Sequence, residues 1–256
     1  MSTKIDWCKN PDGSQGYVHN ITRGCPRGCL YCYGPGYSRR FGIAKKMAEK
    51  EMKFLYGQHW PAKYDNAQKD YEILKEKLYN YKPVFLNYRL AQKLRKKPTM
   101  YFFSMSDPEF WEQEWYEKIL KKICQHMEHT FVVLTKSPEI YKEYTFPHNC
   151  WLGVTCVNQR KLNEFDCLLA NSLEVKNKLF ISIEPIMEKI KINLWMRRRL
   201  DWIIVGPETG NRKNRIIAKP EWIEPFFDLM DIPVYMKSAC SKVIDRPLRQ
   251  EMPEGY

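Results

Sequence analysis

Cys25, Cys29 and Cys32 stand in the run Gly24-Cys25-Pro26-Arg27-Gly28-Cys29-Leu30-Tyr31-Cys32-Tyr33, a C-x3-C-x2-C spacing. Soft thiolate donors select zinc or iron–sulfur clusters, and the glycines of such a loop let the backbone fold tightly around the metal. A structural zinc site is closed by a fourth Cys or His. None follows at short spacing, so zinc here needs a remote ligand such as Cys8 or His19. Three ligands on a four-iron cluster leave one iron open, and an open iron is a place for chemistry. On the cysteines alone both readings stand.

Such a loop needs rigid elements beneath it. Short runs rich in β-branched and aromatic residues predict strands at Tyr17–Thr22, Met100–Met105, Phe131–Thr135, Trp151–Cys156, Leu179–Glu184, Trp202–Gly206 and Pro233–Lys237. Helices are expected at Glu112–His126, Gln159–Asn171 and Pro220–Met230. Strands alternating with helices imply βαβ units and a parallel sheet. The runs Phe-Val-Val-Leu and Trp-Ile-Ile-Val are apolar throughout, as for strands covered on both faces. The expected fold is therefore α/β in a single domain over 1–256, with a partial (β/α) TIM-type barrel of about six to seven parallel strands as first choice and a doubly wound open sheet, which would show the same alternation, as the alternative. Residues 39–99 break the rhythm. This stretch is basic, helical in character and without a clear strand, and reads as an insertion after the first strand.

The chain of 256 residues carries a formal charge of +12, and its 44% hydrophobic content excludes a chain dominated by disorder. No signal peptide or spanning segment is visible, which predicts a cytoplasmic protein without a membrane partner. Nine cysteines, an odd number, argue against a secreted disulfide scaffold. Outside the loop, Cys8, Cys124, Cys150, Cys156, Cys167 and Cys240 show no cluster spacing, and most read as small apolar fillers. The excess positive charge suggests attraction to phosphates.

The C-x3-C-x2-C motif, with Tyr31 before its last cysteine, resembles the signature of the radical S-adenosylmethionine (SAM) superfamily. Further blocks narrow the likeness: Thr3–Cys8, Ser104-Met105-Ser106-Asp107, Leu134–Glu139, Trp151–Thr155, Ser182-Ile183-Glu184-Pro185 and Asp201–Gly210. Together they resemble a family of phage- and prophage-encoded radical SAM-like proteins. That family has Trp-Asn-Pro where this chain has His19-Asn20-Ile21, and the 39–99 stretch matches it poorly.

The resemblance implies a [4Fe–4S] cluster on Cys25, Cys29 and Cys32, with SAM as cofactor, an external one-electron donor, and a host-cytoplasm setting if phage-encoded. It implies an enzyme whose reaction subclass, isomerase, lyase or transferase, stays open, as does its oligomeric state. A nucleoside, a nucleotide or a base in DNA is the expected substrate, given the phage association and the charge. Cofactor contacts fall on Tyr31, on Ser104, Ser106 and Asp107 near the methionine end, and on Thr155 and Glu184 near the ribose. In a barrel, polar residues at the carboxyl ends of strands surround the site. Thr135 belongs to that series, and Lys136, Glu208, Thr209 and Lys237 are its candidate substrate contacts. Ser106 and Asp107 also suit a cap before Pro108. Glu184 closes an apolar run, where a carboxylate needs a partner, and Lys237 or ribose hydroxyls could supply one. Two alternatives remain: a zinc- or cluster-stabilised nucleic-acid-binding protein without SAM cleavage, and a radical SAM enzyme acting on a small molecule or peptide.

Overall fold

The computed structural model describes residues 2–40, 42–60, 66–171 and 176–254. Its strands are β1 (Tyr17–Val18), β2 (Thr22–Arg23), β3 (Val84–Phe85), β4 (Met100–Phe102), β5 (Thr130–Thr135), β6 (Cys150–Thr155), β7 (Lys178–Ile183), β8 (Trp202–Val205) and β9 (Val234–Met236). Helices α1 (Gly34–Ser38), α2 (Ile43–Tyr56), α3 (Ala67–Tyr79) and α4 (Asn87–Leu90) precede β4. Then α5 (Gln113–Cys124), α6 (Ile140–Glu143), α7 (Gln159–Asn171), α8 (Leu194–Arg197) and α9 (Pro220–Ile223) occupy the successive crossovers up to β9.

The result is an α/β fold. Seven strands in the order β1-β4-β5-β6-β7-β8-β9 form a sheet curled into a half-barrel, and each pair from β4 to β9 is parallel in its register. The chain divides into two compact units. A sheet unit comprises Met1–Tyr17, Lys97–Phe102 and Met127–Tyr256; a helical unit comprises Val18–Lys96 and Phe103–His126. Among the described residues no helix is long and apolar enough to cross a membrane.

In the sheet unit, every second residue of the strands feeds one aromatic core: Phe102, Trp151, Phe180, Trp202 and Tyr235, joined by Trp7 from the N-terminal segment. The Trp7 ring lies 4.9 Å from Phe102 and 5.9 Å, edge-on, from Trp202. Gly153 pairs in register with Phe180, and a Cβ there would run into the Phe180 ring, so this strand position must stay bare. In the helical unit, α2 turns Ala44, Met47, Ala48 and Met52 inward against Tyr71 and Leu78 of α3, leaving Lys45, Lys46, Lys50 and Lys53 in solvent. Buried Glu51 caps α4, accepting from the amides of Asn87 (2.9 Å) and Tyr88 (3.1 Å).

The structure corrects three expectations. The first strand is split, because the Asn20 side chain, accepting from the Ser104 amide at 2.9 Å, interrupts it between β1 and β2. The 39–99 stretch does contain a strand, β3, which pairs antiparallel with β2. Helix 220–230 stops at Ile223 and continues as a 3-10 turn, since Pro225 has no amide hydrogen to donate. Cys124 is exposed, whereas Cys8, Cys150, Cys156 and Cys240 are the buried fillers expected; the side chain of Cys167 lies outside the described residues.

Trp7 is 1% exposed, so Trp7→Ala should cost about 3–5 kcal/mol in guanidinium unfolding, and Trp7→Phe clearly less. A loss under about 1 kcal/mol for the alanine variant would mean that the N-terminal segment is not part of the core.

Candidate functional site

The cysteine loop belongs to the helical unit. β2 delivers the chain to Gly24, whose φ of +92° is open to glycine and whose missing Cβ would overlap the Lys82 carbonyl oxygen. Past it, the Cys25 amide donates to the Tyr81 carbonyl at 3.0 Å and the Cys32 amide to the Cys29 carbonyl at 2.9 Å. Cys25 and Cys29 are half-buried, Cys32 is exposed, and none of the three is in a disulfide. Burial, with the Asp107 carboxylate adding to it, pushes the Cys25 thiol up. Burial and the neighbouring Cys29 and Cys32 thiols do the same for the Tyr31 phenol.

The segment expected to serve the cofactor is brought against this loop. Ser104 is tethered to Asn20 through its amide at 2.9 Å and its hydroxyl at 3.3 Å. The Met105 carbonyl accepts from the Gly24 amide (2.9 Å) and the Tyr81 hydroxyl (3.0 Å). Ser106 accepts from the Trp111 indole at 3.0 Å. Asp107 caps the 3-10 turn Pro108–Phe110, as its place before a proline suggested, and lies 3.4 Å from Arg27. Arg27, inside the cysteine motif, also pairs with Glu109 and lies over the Phe110 ring. Sequence reasoning passed over Arg27, Asn20 and Tyr81; only Arg27 carried a signal, its place between two cysteines of the motif.

Whether these residues fit zinc or a cluster is a matter of spacing. Zinc at about 2.3 Å from each sulfur draws its thiolates to roughly 3.8 Å of one another. The three sulfurs here are not gathered within 4.8 Å. Three thiolates on one loop are a donor set of the kind iron–sulfur clusters take. Both remote zinc ligands are core residues: Cys8 is fully buried in the sheet unit's aromatic core, its thiol pushed up to about 12, and His19 is buried in the helical unit.

The strand-end series lies in the sheet unit, with Glu184 at its centre. Its carboxylate takes the Lys237 ammonium at 2.6 Å, the Trp7 indole at 3.2 Å and the Ser182 hydroxyl at 3.1 Å. Lys237 is one of the two partners foreseen for this carboxylate. Burial pulls the Lys237 ammonium down, but the adjacent Glu184 carboxylate outweighs it and the pKa rises. Gly206 keeps the space: a Cβ there would lie 2.8 Å from Lys237 Cδ and 3.3 Å from Glu184 Oε1. Asp6 accepts from the Ser238 amide at 2.7 Å, and its carbonyl accepts from the Tyr235 hydroxyl at 2.8 Å.

Of the other strand-end candidates, Thr155 stands in register with Ser182 on β7. Lys136 and Thr155 line a cavity of about 130 Å³ with Lys161 and Phe165. Thr135 receives the Ser137 amide at 3.0 Å. Glu208 is held by a two-pronged pair with Arg212 (2.7 and 2.9 Å) and by the Ile216 amide (3.0 Å), and the guanidinium holds its carboxyl below the usual range. Thr209 is exposed.

One family model, described as "Protein of unknown function (DUF5131)", matches residues 2–233 and so takes in both units. The chain belongs to the DUF5131 family. No curated protein and no solved structure matches it. Within this DUF5131 chain the match includes the cysteine loop, the Ser104–Asp107 segment and Glu184, and stops just before β9 and Lys237.

His19 supplies a test of the helical unit. Burial, aided by the positive charges of Lys122 and Arg89, pushes its imidazole down to about 3 from 6.5. The unfolded chain therefore takes up a proton below 6.5 that the folded one refuses until about 3. This stabilisation is complete above 6.5 and is lost as pH falls toward 3, by up to about 1.4 kcal/mol per pH unit. Denaturant unfolding at about pH 7 and about pH 5 should show a shallower loss for His19→Leu than for the unmodified protein, and parallel losses would reject the buried neutral imidazole.

Proposed function

We propose that this DUF5131 protein is a radical SAM enzyme on a partial TIM-type barrel. In this reading Cys25, Cys29 and Cys32 hold a [4Fe–4S] cluster, and the substrate is a nucleoside, a nucleotide or a base within nucleic acid. The observation that carries it is the loop itself: three cysteines at C-x3-C-x2-C spacing, none of them in a disulfide, held beside the Ser104–Asp107 segment. Cys25, Cys29 and Cys32 would hold the cluster, which would supply one-electron reductive chemistry toward SAM, fed by an external donor.

The chain's own residues have three tasks. The thiols must lose their protons to become ligands. The carbonyls and hydroxyls of Ser104–Asp107 offer acceptors to an ammonium group, and their tethers to Asn20, Trp111 and Arg27 keep them in place. The exposed run Lys93, Arg95, Lys96 and Lys97 offers cations to phosphates.

Single Cys25→Ala, Cys29→Ala and Cys32→Ala variants should fold yet lose the iron taken up on anaerobic reconstitution and the 5′-deoxyadenosine formed from SAM. One zinc and no iron in the reconstituted protein would overturn the proposal and leave the metal-stabilised nucleic-acid binder.

For the substrate, binding of single-stranded DNA should weaken log-linearly with salt, the slope being about 0.7 per phosphate contacted. Changing Lys93, Lys96 and Lys97 together to Glu should reduce the slope by about two, with substrate-free SAM cleavage unaltered. Absence of binding to DNA, RNA and mononucleotides at low salt would remove the nucleic-acid part and spare the radical chemistry.

A further inference from the structure

Helix α3 ends in a Schellman motif: the Lys82 amide donates to the Lys77 carbonyl at 2.9 Å and the Tyr81 amide to the Leu78 carbonyl at 3.3 Å. Asn80 is the C-cap, so Tyr81 takes the next position, with φ at +56°. Glycine predominates at this position because a Cβ crowds the backbone in the left-handed region, and a bulky side chain is the worst choice for it. Among the described residues Tyr81 is the only non-glycine with a positive φ. A residue so placed persists where its surroundings hold it there.

Its surroundings are the two ends of the cysteine loop. At the entry, the Tyr81 carbonyl accepts from the Cys25 amide at 3.0 Å. Its hydroxyl donates to the Met105 carbonyl at 3.0 Å, the same oxygen that takes the Gly24 amide. At the exit, two residues after Cys32, the phenol end fills the space that a Cβ on Gly34 would need. The side chain is buried throughout.

We infer that Tyr81 is a positioning residue that clasps the cysteine loop at both ends and presets the three thiols before any metal arrives. A glycine would serve the helix end better; the tyrosine serves the loop. The inference rests on the proposed function only in naming a cluster as what the preset loop receives.

The test is made on metal-free protein. Alkylation of each cysteine by iodoacetamide is followed by peptide mass spectrometry, with exposed Cys124 as internal reference, beside a denaturant midpoint. Tyr81→Gly should lower the midpoint, since losing the buried ring outweighs the relief of the left-handed backbone, while under conditions where the variant stays folded alkylation of Cys25 and Cys29 accelerates on the order of fivefold relative to Cys124. Tyr81→Phe keeps the ring, loses the bond to Met105 and should lie between. Unchanged alkylation in Tyr81→Gly would reduce Tyr81 to an awkward helix cap and overturn the inference. Should that variant not fold, parental alkylation rates in both Tyr81→Phe and Gly34→Ala would overturn it. Iron retained after reconstitution is the second readout, expected to fall in the order parent, Tyr81→Phe, Tyr81→Gly. A parent that takes no iron defeats the cluster reading, whereas the alkylation result stands or falls separately.

Discussion

The Met105 carbonyl oxygen accepts two hydrogen bonds, from the Gly24 amide and from the Tyr81 hydroxyl, and the geometry of the helical unit follows from that junction. It ties the start of the cysteine loop, the segment after β4 and the end of α3 at one atom. The β2–β3 pair continues the same clasp, with Thr22 opposite Phe85 and Arg23 opposite Val84. Gly24 must be glycine because the Lys82 carbonyl occupies the place of its Cβ. Arg27 then fastens the middle of the loop to Asp107 and Glu109. Within the 39–99 stretch, the end of α3 and strand β3 meet the start of the cysteine loop, through the Tyr81 carbonyl on the Cys25 amide and through the β2–β3 pair.

The sheet unit is organised by a change of polarity along its strands. Trp7, Trp151, Phe180 and Trp202 fill one face, and above them the strand ends turn polar. The Trp7 indole spans both: its rings pack in the core, while its N–H reaches Glu184 at 3.2 Å. A carboxylate at that boundary is tolerable because an ammonium, an indole and a hydroxyl all face it.

Charge is spent in two ways. Arg27, Arg212 and Lys237 are matched by carboxylates and hold loops or strand ends in place. Arg249 does similar work at the C-terminal end, donating to the carbonyls of Phe226 and Leu229, both at 2.9 Å. The lysines of α2 and of the 93–97 run are instead exposed, and from them comes the excess that reaches solvent.

The order of the strands, the alternation with helices and the isolation of three cysteines on one loop were legible in the sequence, because hydrophobic run, turn residue and ligand spacing are local properties. The capping role of Asp107 and the need of Glu184 for a partner were legible for the same reason. Partners distant in the chain were not. Trp7 and Glu184 are 177 residues apart, and Tyr81 and Met105 are 24 apart. No periodicity encodes such pairs. Nor does a tyrosine at a helix end announce a left-handed backbone, since local preference argues for glycine there. Only the closing of the fold, which brings the Cys25 amide and the Met105 carbonyl to that one residue, decided it.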